Sequence, residues 1–255
     1  IMEESLYQVL CYIMPILAIV VFIALFYIQA GYGIFQNKHW GISIPNRWGW
    51  VLMECPAFFF MLYLWISSPS RLQPTLLTFF ILFETHYLQR SFIFPLLMRG
   101  KSRMPIAIML MGILFNLING FMIGEDLFHL ASAERYSTSW MSSPTFIGGL
   151  LLFISGMGIN LHSDHVIRHL RKPGDTRHYL PQKGMYRFIT SANYFGELIE
   201  WIGFAILTQS TAAWIFVLWT FANLAPRAYS IHKHYCEEFG KEAVGQRKCL
   251  IPFIY

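Results

Sequence analysis

The stretch "SGMGINLHSDHVIRHLRKPG", Ser155–Gly174, decides the fold. It continues the apolar run "PTFIGGLLLFI" from Pro144, and no turn signal separates that run from Asn160, His162, Asp164, Arg168 and Arg171. At about 100° per residue, a helix places Asn160, Asp164 and Arg171 within roughly 40° of one another, with Arg168 just beside them. An apolar helix that ends in one polar stripe is expected of a membrane span lining a site. Polar groups at membrane depth are costly and face the bundle interior.

Composition supports a membrane setting. Of 255 residues, 55% are hydrophobic and 13% charged, whereas soluble domains carry about 25% charged residues. Apolar runs near the roughly 20 residues needed to cross about 30 Å of hydrocarbon recur along the chain. They lie at Val9–Ile28, Trp50–Ile66, Thr75–Leu97, Pro105–Ile123, Pro144–Ile167, Ala192–Leu207 and Ala212–Tyr229. This pattern predicts an all-α, polytopic protein with seven transmembrane helices in a single domain over residues 1–255. Pro105 and Pro144 suit first-turn helix positions. The first run follows Glu3 and Glu4 and is too long for a signal-peptide core, so it reads as a true span, with Met2 expected as the natural start.

Charge orients the spans. Lys38 and Arg47 follow the first run; Arg99, Lys101 and Arg103 follow the third; Arg168, Arg171, Lys172, Arg177, Lys183 and Arg187 follow the fifth; Arg227 and Lys233 follow the seventh. With seven spans all of these lie on one side, which the positive-inside rule makes cytosolic. The N-terminus is then outside or lumenal and the C-terminus cytosolic. The expected location is a multi-pass position in the endoplasmic reticulum of a eukaryote or the inner membrane of a bacterium. The net charge of +5 has this topological origin, and no nucleic-acid motif accompanies it. Cys11, Cys55, Cys236 and Cys249 show neither C-x-x-C nor metal spacing.

Two more runs carry polar groups at depth. In "SANYFGELIEWIG", Asn193, Glu197 and Glu200 share a helical face with Trp201 at its edge, and this stripe is expected to face the one bearing Asn160. In "FFILFETHYLQRSFIF", Tyr87 lies between Glu84 and Arg90, about 60° from each. Glu54 stands alone in "WVLMECPAFFFM". A mid-span carboxyl without a function is uncommon, and Glu54 is expected to carry its proton and act as a donor, as is Tyr87. His162, His165 and His169 read as interface or packing groups, because no carboxylate or Cys completes a ligand set beside them; no metal is expected. "GYG" at Gly31–Gly33 and "GMG" at Gly156–Gly158 do not complete a dinucleotide fingerprint.

The passages "GMGINLHSDHVIRHLRKPG", "SANYFGELIEWIGFA", "PRAYSIHKHY" and "LIPFIY", with shorter echoes in "AGYG", "ECPAF" and "HYLQRSFIF", resemble the steroid 5-alpha-reductase (3-oxo-5-alpha-steroid 4-dehydrogenase) family, most of all its type 2-like members. The resemblance implies seven transmembrane helices enclosing NADPH, and reduction of the 4,5 double bond of 3-oxo-Δ4-steroids by hydride transfer to C5. It implies that Glu54 and Tyr87 hold the 3-oxo group. Asn160, Asp164, Arg171, Asn193, Glu197, Arg227 and Tyr235, with Tyr32 and Arg90, match the family's cofactor site. Trp50, Phe115 and Trp201 are expected to line the substrate pocket. The substrate part would lie mainly in residues 1–125 and the cofactor part in 144–255, with the steroid entering from lipid. Membrane lipids are the other expected partners, no nucleic acid is expected, and the oligomeric state is left open, a monomer included.

The sequence also departs from the pattern. In "HYLPQKG", His178 and Tyr179 replace a Tyr-Arg pair and Lys183 replaces a Gly, while Ile231 replaces a His. Other readings are a related membrane reductase of an enoyl thioester, a polyprenol or another sterol, a membrane methyltransferase, and a transporter. The paired broken helices and internal repeats of many transporters are not evident in the sequence.

Overall fold

Each of the seven apolar runs forms a helix. The computed structural model describes residues 2–28, 31, 33–35, 40–132, 134–170 and 177–255, with side chains from Glu4 onward. In chain order the elements are α1 (Met2–Tyr27), β1 (Ser43–Pro45), α2 (Asn46–Ser67), α3 (Pro74–Leu88), α4 (Phe94–Leu97), β2 (Arg103–Pro105), α5 (Ile106–Glu125), α6 (Pro144–Arg168), α7 (Ala192–Thr208), α8 (Thr211–Phe239) and α9 (Lys241–Val244). Among the described residues, four helices are long and apolar enough to cross a membrane: Glu4–Tyr27, Asn46–Ser67, Ile106–Leu130 and Pro144–Arg168. Of the other three runs, that of α7 is 17 residues long, and α8 ends in the polar stretch "HKHYCEEF".

The third run is broken locally. A π-helical turn, Gln89–Ile93, joins α3 to α4, and the Phe94 N–H reaches back five residues to the Gln89 carbonyl. Pro95 follows directly; it lacks a donor and crowds the preceding turn, so the helix widens there. Pro105 ends β2 and flanks α5 rather than opening it, whereas Pro144 does open α6. Among the described residues, the strands are a ribbon of two three-residue segments, β1 antiparallel to β2, with Ile44 opposite Met104.

The chain divides into two units. The first comprises Ile1–Met14, Gln29–Ile147 and Thr208–Ile215. Within it α2 and α5 run parallel, and glycines set their separation: a Cβ on Gly112 would strike the Met53 side chain, and one on Gly124 the Leu64 side chain. Small residues let spans approach closely where lipid supplies no hydrophobic drive between helices. Met53, Met104 and Met109 form the core beside the ribbon. Farther along, Tyr136 is buried against Phe79, and its hydroxyl donates to the Thr208 carbonyl at 2.7 Å.

The second unit comprises Pro15–Ile28, Gly148–Leu207 and Phe216–Tyr255. Here α6 and α7 run antiparallel in glycine-mediated contact. A Cβ on Gly149 would lie 2.5 Å from the Leu207 nitrogen, and Cβ atoms on Gly156, Gly196 and Gly203 would run into the backbones of Glu200, Asn160 and Phe153. Trp201 of α7 meets Phe216 of α8 at 4.5 Å between ring centroids. The C-terminal residues fold back on the start of α7: Thr190 N–H donates to the Lys248 carbonyl at 2.9 Å and Ser191 N–H to that of Cys249 at 3.1 Å.

Candidate functional site

In the first unit, Glu54 of α2 and Tyr87 of α3 are joined through Asn116 of α5. The Asn116 Nδ2 donates to the Met53 carbonyl at 2.8 Å and to Glu54 Oε2 at 3.1 Å. The Tyr87 hydroxyl donates to Asn116 Oδ1 at 3.4 Å. A backbone carbonyl only accepts, so the Met53 contact fixes which way the amide points. Glu54 Oε2 is therefore held as an acceptor. The 3.4 Å contact is long for O–H···O, so Asn116 holds the Tyr87 proton only loosely. Tyr87 is 2% exposed and Asn116 5%, while Glu54 is half-buried.

Around this chain, Tyr87 stacks on Phe83 at 4.6 Å. Trp50 and Phe115 are half-buried on α2 and α5. Arg90 sits in the π turn with its guanidinium 5.1 Å from the Trp50 ring and 4.6 Å from the Phe94 ring, a cation–π arrangement. Such turns recur at functional sites. Glu84 is buried with neither carboxyl oxygen hydrogen-bonded among the described residues.

In the second unit the two polar stripes meet. Asn160 Nδ2 donates to the Asn193 carbonyl at 2.9 Å, and Asn193 Nδ2 to Asp164 Oδ1 at 3.4 Å. Tyr186, from the 3₁₀ turn Gly184–Arg187, donates its hydroxyl to Asn193 Oδ1 at 3.4 Å. Burial, with the Asp164 charge nearby, pushes the Tyr186 hydroxyl well above the ordinary tyrosine value. Arg227 Nε donates to the Tyr194 hydroxyl at 2.9 Å. Glu197 and Tyr235 are half-buried on α7 and α8. Trp201 is 1% exposed, packed edge-on to Phe204 and Phe216. Arg171 and Tyr32 lie outside the described residues.

This cluster combines amides, a cation and carboxylates. Amides and cations suit phosphate oxygens, and carboxylates suit ribose hydroxyls. Two buried hydroxyls, Ser163 Oγ and Ser191 Oγ, have no hydrogen-bond partner among the described residues. They flank Asp164 and Asn193 in sequence, so acceptor and donor capacity is left over there.

Asn116 and Tyr186 are the residues that sequence reasoning misses. A buried amide inside "LFNLING" obeys the same rule that singles out Glu54, so Asn116 had a signal. Tyr186 had none, because it lies in a loop without helical periodicity.

A sequence-family model described as 3-oxo-5-alpha-steroid 4-dehydrogenase matches residues 102–255. The chain is 36% identical to 3-oxo-5-alpha-steroid 4-dehydrogenase 1 of Mus musculus, over 99% of this chain and 98% of that protein. It is 35% identical to 3-oxo-5-alpha-steroid 4-dehydrogenase 2 of Sus scrofa, over 91% of each. It is 32% identical to Steroid 5-alpha-reductase DET2 of Gossypium hirsutum, over 99% of each. Glu54 and Tyr87 precede the family-model match but fall within the span of the near full-length alignments.

Proposed function

Because the chain belongs to the 3-oxo-5-alpha-steroid 4-dehydrogenase family, we propose that it reduces the 4,5 double bond of a 3-oxo-Δ4-steroid to the 5-alpha product with NADPH, Glu54 and Tyr87 gripping the 3-oxo oxygen. The observation that carries this reading is the Glu54–Asn116–Tyr87 chain of hydrogen bonds. It sets a carboxyl and a phenol around one amide on three separate helices.

Donors on the carbonyl oxygen of a 4-ene-3-one draw charge toward that oxygen and leave C5 electrophilic. NADPH, when bound, supplies the hydride. The Tyr87 proton, loosely held by Asn116, is redirected to the steroid oxygen. Asn116 donates to Glu54 Oε2, so that oxygen accepts, and the proton that Glu54 gives the ketone is carried on Oε1. Each donor aimed at the developing enolate oxygen is typically worth about 3–4 kcal/mol. A proton delivered to C4 completes the saturation.

Asn160, Asp164, Asn193, Glu197, Arg227 and Tyr235 would hold NADPH, together with Arg171, Tyr32 and Arg90. The carboxylates among them accept from ribose hydroxyls, and the arginines meet phosphate. The substrate part belongs to residues 1–125 and the cofactor part to 144–255. The chain spans the membrane seven times with its C-terminus in the cytosol, and the steroid enters from lipid. Parallel α2 and α5, and antiparallel α6–α7 and α7–α8, support that alternation.

The test is the product formed by purified protein from testosterone and NADPH. A mass gain of about two hydrogens is expected, as hydride transfer plus a proton requires. Tyr87→Phe should lower kcat by about 10²-fold or more with little change in KM. Normal turnover in that variant would sink the assignment of Tyr87. Cofactor oxidation with an enoyl thioester or polyprenol but not with a steroid would move the substrate class.

A further inference from the structure

We propose that His178, His234 and Glu238 form a binding site for a divalent transition-metal ion of the zinc class, which clips the segment 177–183 to α8. His234 and Glu238 are one helical turn apart, a spacing that puts both side chains on one face, and His234 Nε2 lies 3.0 Å from Glu238 Oε2. His178 arrives from a segment 60 residues earlier, with its Nδ1 2.9 Å from Glu238 Oε1 and 3.3 Å from Oε2. One ligand atom from each residue lies within 4.8 Å of the others.

Zinc holds imidazole nitrogen at about 2.0–2.1 Å and carboxylate oxygen at about 2.0–2.2 Å, so neighbouring ligand atoms on a tetrahedral ion stand about 3.3 Å apart. The two nitrogen–oxygen pairs need to open by only a few tenths of an ångström. Two imidazoles and one carboxylate select zinc-like ions over magnesium or calcium, which require more oxygen ligands. His178 and Glu238 are exposed and His234 is half-buried, so water can reach the fourth coordination position.

The site has a structural consequence. Segment 177–183 is also tied down by Arg247 donating to the Pro181 carbonyl at 3.2 Å, and Arg177 lies over the Tyr179 ring. A metal bond from His178 to α8 would close a long stretch of chain, where a cross-link removes most conformational freedom. A cluster held by hydrogen bonds alone would have similar distances and no metal affinity, and binding separates the two cases.

The experiment is zinc titration of the purified, chelator-stripped full chain in detergent, against a chromophoric competitor. One saturable ion per chain is expected, not displaced by excess magnesium. Loss of an outer-shell partner alone costs about 10–100-fold in affinity, so His178→Ala and Glu238→Gln should each weaken binding at least about tenfold. Glu238→Gln retains hydrogen-bonding capacity toward both rings, which guards against a variant that merely misfolds. Zinc should also slow trypsin cleavage after Arg177 and Lys183 in the unmodified chain and not in His178→Ala. His165 and His169, whose exposed rings stack at 4.0 Å, provide the control. If zinc binding survives His178→Ala and Glu238→Gln, is lost with His165→Ala/His169→Ala, or never saturates, the proposal is overturned.

Discussion

Asn116 lies on the apolar helix α5 with its amide shared among Met53, Glu54 and Tyr87. Truncating it releases both proposed donors from their common anchor. Asn116→Ala should therefore lower kcat by roughly 10–100-fold with KM changed less than about threefold, as expected when reacting groups lose their aim. Steady-state kinetics decide the matter. If the whole loss appears in KM, Asn116 shapes the steroid cavity instead. Glu54 and Tyr87 were legible because a carboxyl inside an apolar run is costly and a phenol between Glu84 and Arg90 stands out. An uncharged amide carries less contrast, and which groups it would join depends on helices that come together only on folding.

Between elements, the contact that leaves least tolerance is α6 against α7. Gly149 and Gly156 on one helix, and Gly196 and Gly203 on the other, are each seven residues apart, and a Cβ at any of them would enter the facing backbone. Backbone cannot swing aside as a side chain can. Gly156→Ala should destabilise the protein by about 1–3 kcal/mol or more, read as a lowered Tm in detergent. Gly158→Ala, which meets nothing within 4 Å, should leave Tm within a degree or two. Equal losses in both variants would mean that helix propensity or flexibility, not packing, sets the requirement. The "GMG" pattern thus has a reason in helix packing at its first glycine. The seven-residue spacing was visible in the sequence, but not the antiparallel pairing that lets the two helices share it.

For the molecule as a whole, the consequence to be tested is topology. Among the described residues, four helices meet both the length and the apolar requirement for crossing a membrane, and the proposed seven-span arrangement rests on charge and helix direction. In a background without the four native cysteines, Lys101→Cys should react with an impermeant thiol reagent from the cytosolic face of sealed membranes. Glu134→Cys should react only from the opposite face. Labelling of both from one side would require a different number of spans. The π turn before Pro95 and the ribbon pairing Ser43–Pro45 with Arg103–Pro105 were not legible. A π turn has no periodicity of its own, and three-residue strands are too short for alternation to register.

The sequence by itself determined that this chain is helical and apolar enough for a membrane, where its helices lie, and that polar stripes run down two of them. These properties depend on neighbours a few residues apart, and periodicity and charge report them directly. The tertiary structure alone decided which distant side chains hydrogen-bond to one another: Asn116 between Glu54 and Tyr87, Tyr186 on Asn193, and His178 on Glu238. Each of those contacts joins residues from separate elements, so it exists only once glycine-spaced helices and the C-terminal tail have brought them within hydrogen-bonding reach.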